Sequence, residues 1–338
     1  MNNVDSRLRG KLAVIGTGGT FAMQARHPFD WVEYSESGIV LPIDDLLGQL
    51  GELAPEVEML PIPFRALGST AITPSDWLAL ASLIRKTALE RPDIDGFVVT
   101  HGTATLEETA WFLHLTVDID AGVVVTGAQR PSNTAGSDVV PNLRAAMAVA
   151  LNPRSAECGA LVVMDNAVFS ARDVTKSSSF HLNAFEAPLC GPLAEVDADA
   201  NVNWRRLPVQ PACGKAFDPD ALMSLPRVDI LTSYGGADGV AVDAVVAAGA
   251  RGLVSAGLAP GRPANGEVQA LARAIERGVV VVQSTRAARG MVPLQDFLRR
   301  SGVLAGGDLA PHKARILLML ALAQGLDKEA IQQLLLAS

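Results

Sequence analysis

Two short stretches combine glycine with threonine: "GTGGTF" at 16–21 and "HGTAT" at 101–105. "ARDVTKSSS" at 171–179 adds a lysine among hydroxyls, and "GAQRPSNTAGSD" at 127–138 adds a polar loop. A threonine hydroxyl is a weak nucleophile at neutral pH. It needs a base to take its proton and donors for a developing oxyanion. A desolvated lysine can become such a base, because burial disfavours its ammonium form. Backbone N–H groups in glycine-rich turns can serve the oxyanion. Taken singly, each stretch also reads as an ordinary strand-to-loop turn. "GTGGT" fits neither G-x-G-x-x-G nor a loop ending in Gly-Lys-Ser/Thr, so a phosphate cradle is not indicated.

These stretches follow short apolar runs. Segments 11–15, 96–100, 123–125 and 161–164 are rich in Val, Ile and Leu and read as strands buried on both faces. Between them, 76–90, 106–116 and 142–151 carry helical spacing, the first preceded by Pro74 and Ser75. Strands alternating with helices predict βαβ units and a mainly parallel sheet. In open α/β sheets, ligands bind beyond the C-terminal strand ends. The four polar stretches lie there and could converge on one pocket.

The pattern changes after 200, where Pro208, Pro211, Pro219 and Pro226 interrupt any periodicity. Strands at 228–234, 252–256 and 279–282 then alternate with helices at 240–248 and 266–277, and helices at 310–324 and 328–335 close the chain. The expectation is an α/β protein. A larger N-terminal, mainly parallel-sheet domain with flanking helices spans 1–203, a linker 204–227, and a smaller C-terminal α/β domain 228–338.

Composition narrows the class. With 49% hydrophobic and 19% charged residues over 338 positions, the chain can bury a sizeable core. The net charge is −8 and the basic residues are scattered, which argues against a nucleic-acid partner. No run of 18 apolar residues is present and no apolar stretch of signal-peptide length opens the chain, so a cytoplasmic protein with no membrane partner is expected. Cys158, Cys190 and Cys213 are far apart and lack metal-ligand spacing, so reduced thiols are expected.

"TGGTF", "HGTATLEETAWFL", "TGAQRP" and "RDVTK" occur in this order, with "GSTAITPSDW", "VSAG" and "PHKARILLMLAL" elsewhere along the chain. Together they resemble the bacterial-type L-asparaginase/glutaminase family over nearly the whole chain. The resemblance implies a threonine nucleophile at Thr20, a second catalytic threonine at Thr103, a lysine beside it at Lys176, and a tyrosine of a mobile loop at Tyr34. It places Ser69 at the substrate carboxylate, with Thr70, Gly102 and Ala104 also lining the substrate site. It implies hydrolysis of a small amide through an acyl-enzyme, as in L-asparagine catabolism, and no metal or organic cofactor. The assembly it implies is a homodimer or homotetramer with sites near subunit interfaces.

Three departures bear on substrate. Ala104 stands where the family pattern has an aspartate that meets the substrate α-ammonium and joins the threonine–lysine cluster. Thr70 stands where a glutamine or acidic residue is common. Arg262 lies where a neighbouring subunit offers an asparagine, and no glutamate occurs from 286 to 300. Losing a carboxylate from a buried ammonium site typically costs on the order of 3–5 kcal/mol. Lys176 loses its expected counter-charge as well. A substrate without a free α-ammonium is therefore expected to suit the site better than asparagine. The alternative is a non-catalytic paralogue that binds a small carboxylate. A tRNA-dependent amidotransferase subunit fits the acidic chain poorly. Other polar residues read as structural: His101 as a satisfied histidine, Glu107 and Glu108 as a helix start, Arg130 as a loop pin.

Overall fold

A computed structural model of the chain describes residues 8–208 and 217–338. Residues 209–216 of the expected linker, Cys213 among them, lie outside the described residues, as do residues 1–7. The chain divides into two compact units, Met1–Pro219 and Asp220–Ser338.

The first unit is built on β1 (Arg9–Gly18), α1 (Ile43–Leu50), β2 (Glu56–Leu67), α2 (Pro74–Glu90), β3 (Gly96–Thr100), α3 (Leu106–Thr116), β4 (Gly122–Thr126), α4 (Val139–Ala150) and β5 (Ala160–Met164). Shorter strands follow: β6 (Ala167–Ser170), β7 (Thr175–Lys176), β8 (Phe185–Glu186), β9 (Ala194–Val196) and β10 (Val202–Trp204). The sheet runs β10-β9-β6-β5-β4-β3-β1-β2. Strands β2, β1, β3, β4 and β5 pair in parallel, and β6, β9 and β10 extend the sheet antiparallel.

Every residue of β3, β4 and β5 is buried, as strands covered on both faces require. α4 packs with these strands, and Leu143, Met147 and Val149 join the core around Val98, Val124 and Leu161. α2 opens on Pro74, with the Asp76 carboxylate accepting the Thr73 N–H at 2.8 Å.

Strand order 2-1-3-4-5 reverses direction between β1 and β3. At such a switch point the two following loops leave in opposite directions and open a crevice beyond the strand ends. The loop after β1 carries Thr20, and the loop after β3 carries Thr103.

The expected strands and helices of this unit are present, with longer bounds for β1 and earlier starts for α2 and α4. α1, β2 and the antiparallel extension are additional. Pro61 and Pro63 interrupt the apolar pattern of β2; they are tolerated because β2 is the edge strand of the sheet among the described residues.

The second unit has a parallel sheet β11-β12-β13-β14, comprising β11 (Val228–Thr232), β12 (Gly252–Gly257), β13 (Val280–Thr285) and β14 (Leu304–Ala305). Helices α5 (Val240–Ala247), α6 (Asn265–Glu276), α7 (Asp296–Ser301), α8 (Pro311–Ala323) and α9 (Lys328–Ala337) accompany it. The first unit is thus the larger and mixed, the second the smaller and wholly parallel. Cys158 is buried and its thiol is pushed up to about 11 by desolvation, whereas Cys190 is exposed; both are free.

Candidate active site

Backbone contact between glycines builds the crevice. Gly18 and Gly19 leave β1 at φ +97 and +71, a region that L side chains rarely adopt. A Cβ placed on Gly19 would lie 2.3 Å from Gly102 Cα, and one on Gly102 would lie 2.3 Å from Ser69 Cβ. Neither fits, so the loops bearing Thr20, Thr103 and Ser69 stack backbone on backbone. The Thr105 hydroxyl closes the stack by donating to the Ser69 carbonyl at 2.7 Å.

Two hydroxyl-centred pairs occupy this region. The Thr20 hydroxyl lies 2.6 Å from the Tyr34 phenol, and Thr20 is buried. Tyr34 starts a short 3-10 turn, Tyr34–Ser37, on the segment that returns from β1 toward α1. That segment is tied to the loop after β4. Asn133 bonds both the N–H and the carbonyl of Ala25, at 2.9 and 2.8 Å, and Gln24 donates to Ser132 at 2.9 Å. The Arg130 guanidinium sits 4.2 Å from the centre of the Trp31 ring and donates to the Gly136 carbonyl, so Arg130 does pin its loop.

In the second pair, Lys176 Nζ donates to Thr103 Oγ1 at 2.6 Å. Burial lowers the Lys176 pKa from its ordinary value, and the Glu107 carboxylate opposes that shift. Glu107 is buried and also accepts the Lys176 backbone N–H at 3.3 Å. This corrects two expectations. Glu107 does more than start a helix, and Lys176 keeps a carboxylate near it despite Ala104.

A third member was not evident from the sequence. The Gln129 carboxamide oxygen accepts from the Thr103 hydroxyl at 3.0 Å and from Lys176 Nζ at 3.1 Å. "AQRP" reads as a loop, and only the meeting of three loops gives this glutamine partners.

His101 is structural. Its Nδ1 lies 2.9 Å from the Gly102 carbonyl, which can only accept, so Nδ1 carries the proton. Nε2 then accepts from the Thr109 hydroxyl at 2.9 Å, and Thr109 in turn accepts from Trp77 Nε1. Burial holds the imidazole at a pKa of about 4.

The structure thus brings together Thr20 with Tyr34, Thr103 with Lys176, and Gly102 with Ser69. Ala104 and Thr70 are exposed, and among the described residues neither side chain has a hydrogen bond. Arg262 belongs to the second unit, its guanidinium 4.0 Å from the centre of the Phe297 ring.

A family model for the N-terminal domain of asparaginase matches residues 11–209, and one for the glutaminase/asparaginase C-terminal domain matches residues 227–335. The chain belongs to the asparaginase family. Its class is accordingly that of an amidohydrolase. A probable periplasmic L-asparaginase of Haemophilus influenzae is 35% identical, over 95% of this chain and 91% of that one. L-asparaginase 2 of Bacillus subtilis is 36% identical, over 95% and 84%. A glutaminase-asparaginase of Pseudomonas fluorescens is 32% identical, over 96% and 89%. The crystal structure of a probable cytoplasmic L-asparaginase from Campylobacter jejuni superimposes with a TM-score of 0.88 at 33% identity, covering 97% of this chain and 99% of that one. The family inferred from the ordered motifs and the two-domain α/β fold are both confirmed. Among the described residues, no helix is long and apolar enough to cross a membrane.

Proposed function

We propose that the chain hydrolyses a small linear carboxamide through an acyl-enzyme on Thr20, and that it favours substrates lacking an α-ammonium. Thr20 Oγ attacks the amide carbonyl as its proton passes to the Tyr34 oxygen and the phenol passes its own proton on toward the amide nitrogen, forming a tetrahedral oxyanion that backbone N–H groups of the glycine turns receive. Protonation of the leaving nitrogen releases ammonia and leaves an ester on Thr20. Water, deprotonated at the Thr103–Lys176 pair, then hydrolyses that ester. The segment bearing Tyr34 covers the site during turnover.

The observation that carries this reading is the pairing of each loop's hydroxyl with a proton-transfer partner at 2.6 Å. Ser69 is the anchor for a substrate carboxylate. The exposed Ala104 methyl and Thr70 hydroxyl offer an ammonium no charge, which supports the altered preference. Assembly as a homodimer or homotetramer and a cytoplasmic location belong to the same proposal.

Ammonia release from asparagine, glutamine, D-asparagine, succinamate and N-acylated amides tests it. Succinamate or another deaminated amide is expected to give the highest kcat/KM. Faster turnover of asparagine than of every deaminated analogue would defeat the preference. No hydrolysis of any of them would favour the non-catalytic, carboxylate-binding reading.

A further inference from the structure

We propose that Gln129 is a positioning residue for the Thr103–Lys176 pair, a neutral shared acceptor that aligns both groups without adding charge. This rests on the reading above that the pair handles protons.

The amide has only one workable orientation. Gln129 Nε2 donates to the Ser179 carbonyl at 3.2 Å and to the His181 carbonyl at 3.0 Å. Flipping the carboxamide would face its oxygen to two acceptors and its NH2 to an ammonium. Oε1 is therefore aimed at Thr103 and Lys176, and it lies 3.0 and 3.1 Å from them. The backbone is equally fixed. The Asp138 carboxylate accepts the Gln129 N–H at 2.9 and 3.0 Å and the Arg130 N–H at 2.9 Å. A side chain held at both ends in this way is a built element of the site.

The bonds form a directed chain. Lys176 donates to Thr103, and Thr103 donates onward to Gln129. To act as a base Lys176 must be the neutral amine, and the Thr103 hydroxyl must turn from Oε1 to Nζ. A carboxylate in place of the carboxamide would hold both protons more strongly and oppose that change. A neutral oxygen gives the alignment with less resistance. The groups that face Lys176 are Glu107 from α3, Thr103 and Gln129 from the loops after β3 and β4, and the Phe185 ring of β8 at 5.9 Å. Glu107 is the charged one among them, and it stays constant when Gln129 is changed.

The test is to titrate Lys176 directly in the full-length protein by NMR of 13C-labelled lysine, assigning the signal by its loss in Lys176→Arg. Gln129→Glu is expected to raise the Lys176 midpoint by about one pH unit or more, and Gln129→Met to lower it by about half a unit. The acidic limb of kcat/KM should move in the same directions, with kcat falling about tenfold or more in Gln129→Glu at pH 7. If Gln129→Glu does not fold, Gln129→Met alone decides. Midpoints within about 0.2 of wild type in the folded variants overturn the proposal. A shifted midpoint in a protein that hydrolyses no amide sustains the role of Gln129 and removes the hydrolase reading instead.

Discussion

Gly102→Ala is the most direct probe of the stacked loops. Gly102 lies outside the left-handed region, so alanine meets no backbone penalty and the effect is one of contact. The new methyl would sit 2.3 Å from Ser69 Cβ and 2.6 Å from Ser69 Cα. Carbon atoms settle at about 3.5–4.0 Å, so the two loops must part by roughly 1.2 Å or more. The second of these contacts is backbone and cannot rotate away. Overpacking of this kind costs about 1–3 kcal/mol, which for a unit of this size lowers Tm by roughly 2–12 °C. A displacement near 1 Å between reacting groups costs about 100-fold in rate. The variant should therefore stay folded at 25 °C by circular dichroism while kcat/KM for its best amide substrate drops about 100-fold. Wild-type kcat/KM in a folded Gly102→Ala protein would refute the claim that loop contact sets the geometry of the site.

Other outcomes follow from single contacts. Thr20→Ala should lose at least about 10³-fold in kcat with little change in Tm, checked by ammonia release and calorimetry. Tyr34→Phe removes only the phenol oxygen 2.6 Å from Thr20 and should cost about 10²-fold in kcat, checked by steady-state kinetics. Ala104→Asp places a carboxylate next to Thr103 and should raise the ratio of asparagine to succinamate turnover at least about tenfold, measured by competition between the two amides. His101 has a folded pKa of about 4 against 6.5, so the unfolded chain binds more protons between those values. Stability is then fully present above about pH 6.5 and falls with acidification by about 1.4 kcal/mol per pH unit toward pH 4. Urea melts across that range should show this slope, and His101→Gln should flatten it.

Much of the scaffold is legible because β3, β4 and β5 are short apolar runs, as strands buried on both faces must be. β2 is hidden by its two prolines, and β6 to β10 by brevity: strands of two to four residues are too short to show a period. At the site, threonines and glycines in ordered motifs point to the loops. Gln129 and Glu107 do not stand out, because their partners come from positions 47 and 69 residues away. A carboxamide in a turn and a glutamate in a first helical turn each have sufficient local explanations, and only packing reveals the second use.

The loop between β4 and α4 serves both hydroxyl pairs. Its Ser132 and Asn133 hold the segment that carries Tyr34, while its Gln129 holds Thr103 and Lys176. Asp138 clamps this loop at its far end. The two halves of the centre are consequently mechanically linked. Any movement of the chain at Gln24 and Ala25 must either break the Ser132 and Asn133 bonds or drag the loop that holds Gln129. The geometry of both hydroxyl pairs thus depends on one short piece of chain.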